Sequence, residues 1–100
     1  MTLHTLNKSP FQQQTYQACL AALNLDSHLV LLEDGVYATH ERSPANELIQ
    51  AFLEKGGNVS ALEADVEARG IEKPLVGINL INYDQFVALC CQHNPIQSWY

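Results

Sequence analysis

The sequence predicts an α/β fold in three layers, with a mostly parallel sheet of four or five strands and helices on both of its faces. Predicted strands and helices alternate along the chain, which is typical of parallel sheets. The strands are apolar along nearly their whole length, as strands covered on both faces are. The 100 residues match the size of one ordinary domain, 1–100, and 47% of them are hydrophobic, enough for a core of their own.

Uninterrupted apolar runs mark the strands. The clearest run spans residues 28–32 and is bounded by polar residues on both sides, as expected for a buried strand. The opening run is shorter, and the chain end could add only a short edge strand. The five expected strands cover residues 2–6, 28–32, 58–62, 75–81 and 96–100.

End signals mark the first two helices. Ser9 suits the N-cap and Pro10 the first helical position, so a helix is expected over residues 11–23. Pro44 begins a second helix, which Gly56-Gly57 ends through a left-handed cap. Apolar side chains at helical spacing form one face of each helix: Tyr16, Cys19, Leu20 and Leu23 in the first, and Leu48, Ile49, Phe52 and Leu53 in the second.

Two further helices are expected in the second half of the chain. A short acidic helix covers residues 64–69 and stops at Gly70. The fourth helix begins with a capping box, in which Gln85 follows Asn82 by three residues, and it ends at Asn94-Pro95. The apolar side chains of this last helix are Phe86, Val87, Leu89 and Cys90.

Charge and apolar content indicate which classes of partner are disfavoured. The formal net charge is −6, so an acidic surface repels nucleic-acid backbones and direct RNA or DNA binding is disfavoured. No apolar run approaches the roughly 20 residues that span a bilayer, and the N-terminus lacks the pattern of a signal peptide, so we expect a soluble, cytoplasmic protein. Only 16% of the residues are charged, which favours burial of surface against a partner protein.

In parallel α/β sheets, ligands and partners meet the loops at the carboxyl ends of the strands. Lys8 and Ser9 follow the first strand at a helix start, where they form either a weak anion site or, as we favour, an ordinary cap. Two carboxylates, Glu33 and Asp34, follow the second strand, with Tyr37 close behind. They form either an acid–base pair or, as we favour, a solvated turn.

No catalytic constellation or cofactor signature is visible. The sequence has no P-loop, no dinucleotide-binding glycine motif and no nucleophile elbow. The four histidines are scattered without metal-ligand spacing, so neither a metal nor a cofactor is expected. His4 lies in the middle of the first strand and is interpreted as a core or interface residue. Nothing in the sequence by itself marks the chain as an enzyme.

Three cysteines are the residues capable of sulfur chemistry. A sulfur-accepting thiol needs solvent access and a lowered pKa. None of the three has Cys-x-x-Cys spacing, and adjacent cysteines bridge only with strain, so all are expected to be reduced. Cys90 and Cys91 lie deep in the fourth helix and are interpreted as packing residues. Cys19 is either a buried small hydrophobe, which we favour on the residues alone, or an accessible thiol.

Several blocks of the sequence, in the right order, resemble the TusB/DsrH family. The blocks are LHTLNKSPF at 3–11, LLEDGVYA at 31–38, ALEADVEARG at 61–70, YDQFV at 83–87 and the near-terminal Trp99. Each block is modest by itself, but together they span essentially the whole chain. Residues 39–58 carry little of the resemblance.

The resemblance implies a DsrE-like three-layer fold and a place in a sulfur-relay (sulfurtransferase) complex. Members of the family assemble with two related subunits, TusC and TusD or DsrE and DsrF, into a heterohexamer that passes persulfide sulfur to a TusE- or DsrC-like acceptor. Tus complexes serve 2-thiolation of the tRNA wobble uridine, and Dsr complexes serve sulfur oxidation. The principal sulfur-carrying cysteine lies on a loop of a sister subunit. No predicted loop holds a cysteine here, which fits an accessory subunit.

Two alternatives stay open beside the accessory role. Cys19 falls where DsrH-like members carry a cysteine in the first helix, so the resemblance also allows Cys19 to be a persulfide carrier itself. A stand-alone small-ligand-binding domain or enzyme rests only on the loop carboxylates. Near the chain end, the large rings of Trp99 and Tyr100 are expected to anchor either the sheet edge or a subunit contact.

Overall fold

The computed structural model describes residues 2–11, 13–93 and 95–99, and one five-stranded parallel sheet with helices on both faces confirms the expected fold class. The strands are β1 (Leu3–Leu6), β2 (His28–Leu31), β3 (Asn58–Leu62), β4 (Asn79–Ile81) and β5 (Ile96–Trp99). The helices are α1 (Gln13–Ala22), α2 (Asn46–Glu54), α3 (Glu63–Ala68) and α4 (Tyr83–Gln92), and a 3₁₀ helix (Glu33–Thr39) follows β2. Tyr100 and Asn94, named in the sequence-based predictions, lie outside the described residues.

The strand order β4–β3–β2–β1–β5 places the most apolar strand at the centre of the sheet. β2 pairs in parallel with β1 on one side and with β3 on the other. Its Leu29, Val30 and Leu31 are fully buried, because a central strand is covered on both faces. β4 and β5 form the two edges, and most of their side chains are exposed.

Helices cover the two faces of the sheet unequally. On the first face, Tyr16 and Cys19 of α1 and Ile49 of α2 enter the main core. On the second face, α4 packs Phe86 and Leu89 against a smaller cluster of strand residues while it crosses from β4 to β5. No side chain of α4 is fully buried, so this second layer is a thin one. Within the described residues, none of the helices combines the length and the apolar character needed to cross a membrane.

Two helix ends match their sequence signals. Asn82 Oδ1 accepts from the Gln85 backbone N–H at 2.8 Å, and Gln85 Oε1 accepts from the Asn82 N–H at 2.8 Å, which confirms the capping box. α2 ends ahead of Gly56, whose φ of +93° is the left-handed conformation that glycine adopts without strain.

The loops after β1 and β2 differ from the prediction. Ser9 Oγ accepts from the Phe11 backbone N–H at 3.2 Å and closes a turn, and the described part of α1 begins only at Gln13. Residues 33–35 are not a simple turn, because they open the 3₁₀ helix. A Cβ atom at Gly35 would collide with the carbonyl oxygen of Leu6, so glycine is what lets this helix lie against the end of β1.

The fourth strand is much shorter than the apolar run at 75–81 predicted. Only its last three residues pair with β3. The Leu75 backbone N–H donates to the Thr39 carbonyl at 2.8 Å instead, and Gly77 turns the backbone out of the extended region with a φ of +98°. Val76 is 98% exposed. The run is therefore a loop that leads into an edge strand, not a strand buried on both faces.

Candidate functional site

The loops after the strands meet at the carboxyl edge of the sheet, as parallel pairing requires. There the Glu33 backbone N–H donates to Asp65 Oδ2 at 2.8 Å, which connects the end of β2 to the start of α3. Glu33 has a positive φ of +48°, uncommon for a residue with a Cβ atom, and this hydrogen bond helps to hold it. A groove of about 570 Å³ along this edge is lined by four acidic residues: Glu33, Glu63, Asp65 and Glu67.

Asp34 is held by an arginine that the sequence-based analysis did not single out. Arg69 Nε and Nη2 both lie 3.0 Å from Asp34 Oδ1, and Arg69 Nη1 lies 3.7 Å from Asp65 Oδ1. The guanidinium also sits 5.9 Å from the centre of the Tyr37 ring, a cation–π distance. The fold thus brings Asp34 and Tyr37 together on Arg69. These contacts favour a structural cross-link between the 3₁₀ helix and α3 over an acid–base pair.

Lys8 and Ser9 divide into a free cation and a capped turn. The Ser9 hydroxyl is the acceptor of the Phe11 N–H already described, so it closes a turn ahead of the described part of α1. The Lys8 ammonium forms no ion pair with the residues that the structure describes. Nothing in the described geometry organises an anion site around this pair.

Cys19 is a core residue in this structure. Its side chain is fully buried in the main core beside Tyr16. Burial raises the pKa of the Cys19 thiol to about 12, so the thiol is protonated at neutral pH. The helix position that matched family members therefore holds an inaccessible thiol here, which favours the packing interpretation.

The two adjacent cysteines face different surroundings. Cys90 is half-buried and packs against the smaller core cluster, and the pKa of its thiol is raised by burial and then by Cys91. Cys91 is exposed, so the expectation that both residues pack in the core is wrong for Cys91. The two residues are neighbours on α4, but this helix contacts the sheet along a narrow stripe only. Cys90 lies in that stripe and Cys91 lies outside it. Because α4 runs back from the carboxyl edge, Cys91 lies at the opposite end of the sheet.

His4 is buried, in keeping with its interpretation as a core or interface residue, and it contacts Trp99. The indole N–H of Trp99 donates to His4 Nδ1 at 3.1 Å, and the two rings stack with centroids 6.2 Å apart. Burial lowers the pKa of His4, and because Nδ1 accepts the hydrogen bond, the neutral ring carries its own proton on Nε2. Within the chain, Trp99 thus fixes the edge strand β5 to β1.

His28 and His93 form a pair beneath α4 that the sequence did not predict. His28 and His93 meet edge to face with ring centroids 5.5 Å apart, and His28 Nε2 lies 2.8 Å from Ser60 Oγ. His93 Nδ1 donates to the Leu89 carbonyl at 2.8 Å, while its buried Nε2 has no hydrogen-bond partner among the residues that the structure describes. Burial lowers the pKa of His28, and His93 lowers it further. Across the described ranges, no three His, Cys, Asp or Glu side chains lie close enough together to hold a metal ion.

Apolar side chains are exposed on both helical layers. Between α1 and α2 a groove of about 530 Å³ is lined by Leu20, Leu23 and Phe52, with Leu25 and Leu48 each more than half exposed at its rim. We call this the α1–α2 groove. On the outer side of α4, Tyr83 and Val87 are also exposed, one turn apart. We call this second surface, formed by Tyr83, Val87 and Cys91, the α4 face.

Comparisons with known proteins agree over almost the full length. The family model described as "DsrH like protein" matches residues 8–96. The protein TusB of Cronobacter sakazakii is 33% identical over 98 residues, which cover 97% of this chain and 99% of that protein. TusB of Photorhabdus laumondii is 29% identical with the same coverage.

Solved structures show the same fold. The crystal structure of the YchN protein from E. coli superposes with a TM-score of 0.85 at 15% identity, over 98% of this chain and 97% of that chain. The solution NMR structure of a Thermotoga maritima protein superposes with a TM-score of 0.64 at 21% identity, over 93% of this chain and 94% of that chain. Both likenesses therefore cover more than nine-tenths of the chain.

Proposed function

The chain belongs to the DsrH-like family, and from that premise we propose that it is an accessory subunit of a sulfur-relay complex, one that does not itself carry the sulfur. The relay would direct persulfide sulfur towards 2-thiolation of the tRNA wobble uridine. Relatives that bear the name TusB favour this Tus-like setting over a Dsr-like role in sulfur oxidation. The chain's part is to complete the assembly and shape its surface.

The burial of Cys19 is the observation on which the accessory role rests. A persulfide carrier attacks as the thiolate and must be reached by its donor and its acceptor. With a pKa of about 12, on the order of one Cys19 thiol in 100,000 would be ionised at pH 7, and no surface of it is open to solvent. The exposed Cys91 lies at the end of the sheet away from the strand-end loops. No described loop at the carboxyl edge carries a thiol.

The partners are two related subunits, TusC- and TusD-like or DsrE- and DsrF-like, in a heterohexamer with two copies of each chain. The α1–α2 groove and the α4 face support this part of the proposal. Each exposes large apolar side chains, and burying them against a partner subunit would be energetically favourable. A TusE- or DsrC-like protein would accept the sulfur from the assembled complex, in the cytoplasm.

The geometry favours neither Cys19 as a sulfur carrier nor the loop carboxylates as the acid–base pair of an enzyme. For Cys19 to act as a carrier, α1 would have to move away from the sheet and expose the main core. For a stand-alone enzyme, the loop carboxylates would need to be free, but Asp34 and Asp65 are both engaged by Arg69.

Intact-mass spectrometry after exposure to a persulfide donor tests the accessory role. The sample is the Cys91→Ser variant, which lacks the exposed thiol, assembled with its neighbouring subunits. We expect no mass increase of one sulfur atom on this chain, while a sister subunit takes the sulfur. A reductant-sensitive sulfur adduct that Cys19→Ser abolishes would replace the accessory role with the carrier role. Reversal by reductant separates a persulfide from irreversible oxidation of the thiol.

A further inference from the structure

A small pocket apart from the thiols and from the acidic groove concentrates hydrogen-bond donors. It has a volume of about 330 Å³ and lies between the loop after β1, the end of the 3₁₀ helix and the end of α3. This size falls at the low end of the roughly 300–1,000 Å³ of small-molecule sites. We call it the Arg42 pocket. Its lining side chains are Phe11, Tyr37, His40, Arg42, Ser43, Arg69 and Ile71.

The charge of the Arg42 pocket is opposite to that of the protein. The chain has a net charge of −6 and only five Lys and Arg residues, yet two of those five, Arg42 and Arg69, line this one pocket. No Asp or Glu lines it in the part of the chain that the structure describes. Asp34 binds Arg69 and fixes it as a wall of the pocket, so Arg69 contributes less free charge than Arg42. The guanidinium of Arg42 makes no ion pair with the described residues and is exposed.

Ser43 adds a buried donor to the pocket. It is 7% exposed, and its Oγ accepts from the Ala45 backbone N–H at 3.1 Å. That bond uses the oxygen as acceptor only, so the hydroxyl hydrogen has no acceptor among the described groups. Because Ser43 also lines the cavity, its hydroxyl is available to donate to a ligand bound there.

His40 supplies a third donor because its tautomer is set by the backbone. The Arg42 backbone N–H donates to His40 Nδ1 at 3.1 Å. Nδ1 is therefore the acceptor, and the ring hydrogen is on Nε2. Ser43, His40 and Arg42 therefore present side-chain donors to the pocket, and these donors have no acceptor among the described groups.

The other wall of the pocket is aromatic and apolar. The Phe11 ring is 68% exposed, and it belongs to neither of the two described hydrophobic clusters. The Tyr37 ring is held in place by the Arg69 guanidinium. Together with Ile71, these rings form the apolar part of the pocket lining. Such a surface suits a planar ring, since flat rings stack on aromatic side chains.

We propose that the Arg42 pocket binds small molecules in which an oxyanion is attached to a flat ring. Arg42, His40 and Ser43 donate to the oxyanion. The ring contacts Phe11 and Tyr37. The oxyanion is a phosphate or a carboxylate, the two groups that a guanidinium with a neighbouring donor recognises. The net negative charge of the protein disfavours a long polyanion, so the proposed ligand is a single small molecule. This binding site is independent of the proposed relay role.

Amide chemical shifts of the isotope-labelled full chain test the pocket. The two ring–oxyanion probes are adenosine monophosphate, which carries a phosphate, and N-acetyl-phenylalanine, which carries a carboxylate. Adenosine is the ring without an anion, and inorganic phosphate is the anion without a ring. We expect at least one ring–oxyanion probe to shift the amides around the pocket at millimolar concentration, and the one that binds more tightly identifies the oxyanion. The two partial probes should bind at least about tenfold more weakly.

Variants locate the binding. Arg42→Ala should weaken it by about tenfold to a hundredfold, as loss of a charge-assisted hydrogen bond does, and Phe11→Ala should weaken it severalfold. Both residues are exposed, so neither variant threatens the fold. Lys55→Ala removes one exposed cation outside the pocket and should leave binding unchanged. The proposal is overturned if neither ring–oxyanion probe shifts the pocket amides, if Arg42→Ala binds as the parent does, or if inorganic phosphate or adenosine binds equally well.

Discussion

Trp99 and His4 join the last described strand of the chain to the first one. The indole N–H reaches His4 Nδ1 across 3.1 Å, and in the paired strands Trp99 stands opposite Leu6 while His4 stands opposite Gln97. Among the described strands, β5 lies at an edge of the sheet and pairs with β1 alone. The hydrogen bond therefore adds a side-chain anchor to a strand that the sheet holds from one side.

Replacing Trp99 with phenylalanine should destabilise the protein by about 1–3 kcal/mol. The variant keeps an aromatic ring but removes the N–H donor, which leaves the buried His4 Nδ1 without a partner. Urea unfolding followed by circular dichroism gives the free energy of unfolding. His4→Phe combined with Trp99→Phe is the matched control, because removing both polar groups should recover part of the loss. A phenylalanine variant as stable as the parent would show that the hydrogen bond contributes nothing.

Stability should fall as the pH drops below about 6.5, because burial lowers the pKa values of His4 and His28. The unfolded chain then binds protons that the folded chain resists, so the free energy of unfolding decreases with falling pH. Urea unfolding at pH 7.5 and at about pH 5.5 measures the change. His4→Gln cannot titrate, so its loss between the two pH values should be smaller than that of the parent. A His4→Gln loss equal to the parent's would contradict the burial effect.

The three thiols should react in a fixed order. An aromatic disulfide reagent should modify Cys91 first, Cys90 more slowly and Cys19 only when the protein unfolds, since exposure decreases in that order. Cys91→Ser should change the free energy of unfolding by less than about 0.5 kcal/mol, as exposed substitutions do. Cys19→Ser should cost about 1–3 kcal/mol because it buries a hydroxyl in an apolar core. Rapid labelling of Cys19 in the native chain would contradict its position in the core.

Gly35 should tolerate no side chain. Gly35→Ala places a Cβ atom against the Leu6 carbonyl oxygen and should destabilise the protein by more than about 2 kcal/mol, since the backbone of β1 cannot shift freely. Gly70→Ala is the control: it has a positive φ of +68° but no atom within 4 Å of the added Cβ, so it should cost only about 1 kcal/mol. Thermal unfolding of the two variants compares them directly. Equal losses would mean that the close approach of the 3₁₀ helix to β1 is not rigid.

Local features of the fold were predictable from the sequence because neighbouring residues determine them. The capping box at Asn82 and Gln85 needs only a spacing of three, and the buried face of α1 with Tyr16 and Cys19 follows from helical period. β2 stood out because a central strand is covered on both faces and therefore carries consecutive apolar side chains, here Leu29, Val30 and Leu31.

The features that the sequence did not predict depend on residues far apart in the chain. Asp34 and Arg69 are 35 positions apart, and nothing near either residue indicates their ion pair. Cys91 was misplaced because helical period does not show how narrow the contact between α4 and the sheet is. The strand expected over residues 75–81 is too long, because its apolar composition hides the effect of Gly77, whose positive φ ends the extended backbone.

Native mass spectrometry of the chain co-expressed with its genomic neighbours tests the central claim, that this protein is a subunit of a sulfur-relay complex. We predict an assembly with two copies each of three similar small subunits. Leu48→Glu in the α1–α2 groove and Val87→Glu on the α4 face each place a charge on an exposed apolar surface, and at least one of them should dissociate the assembly while the chain stays folded. A lone monomer or homo-oligomer, with soluble neighbours present in the same sample, would contradict the claim.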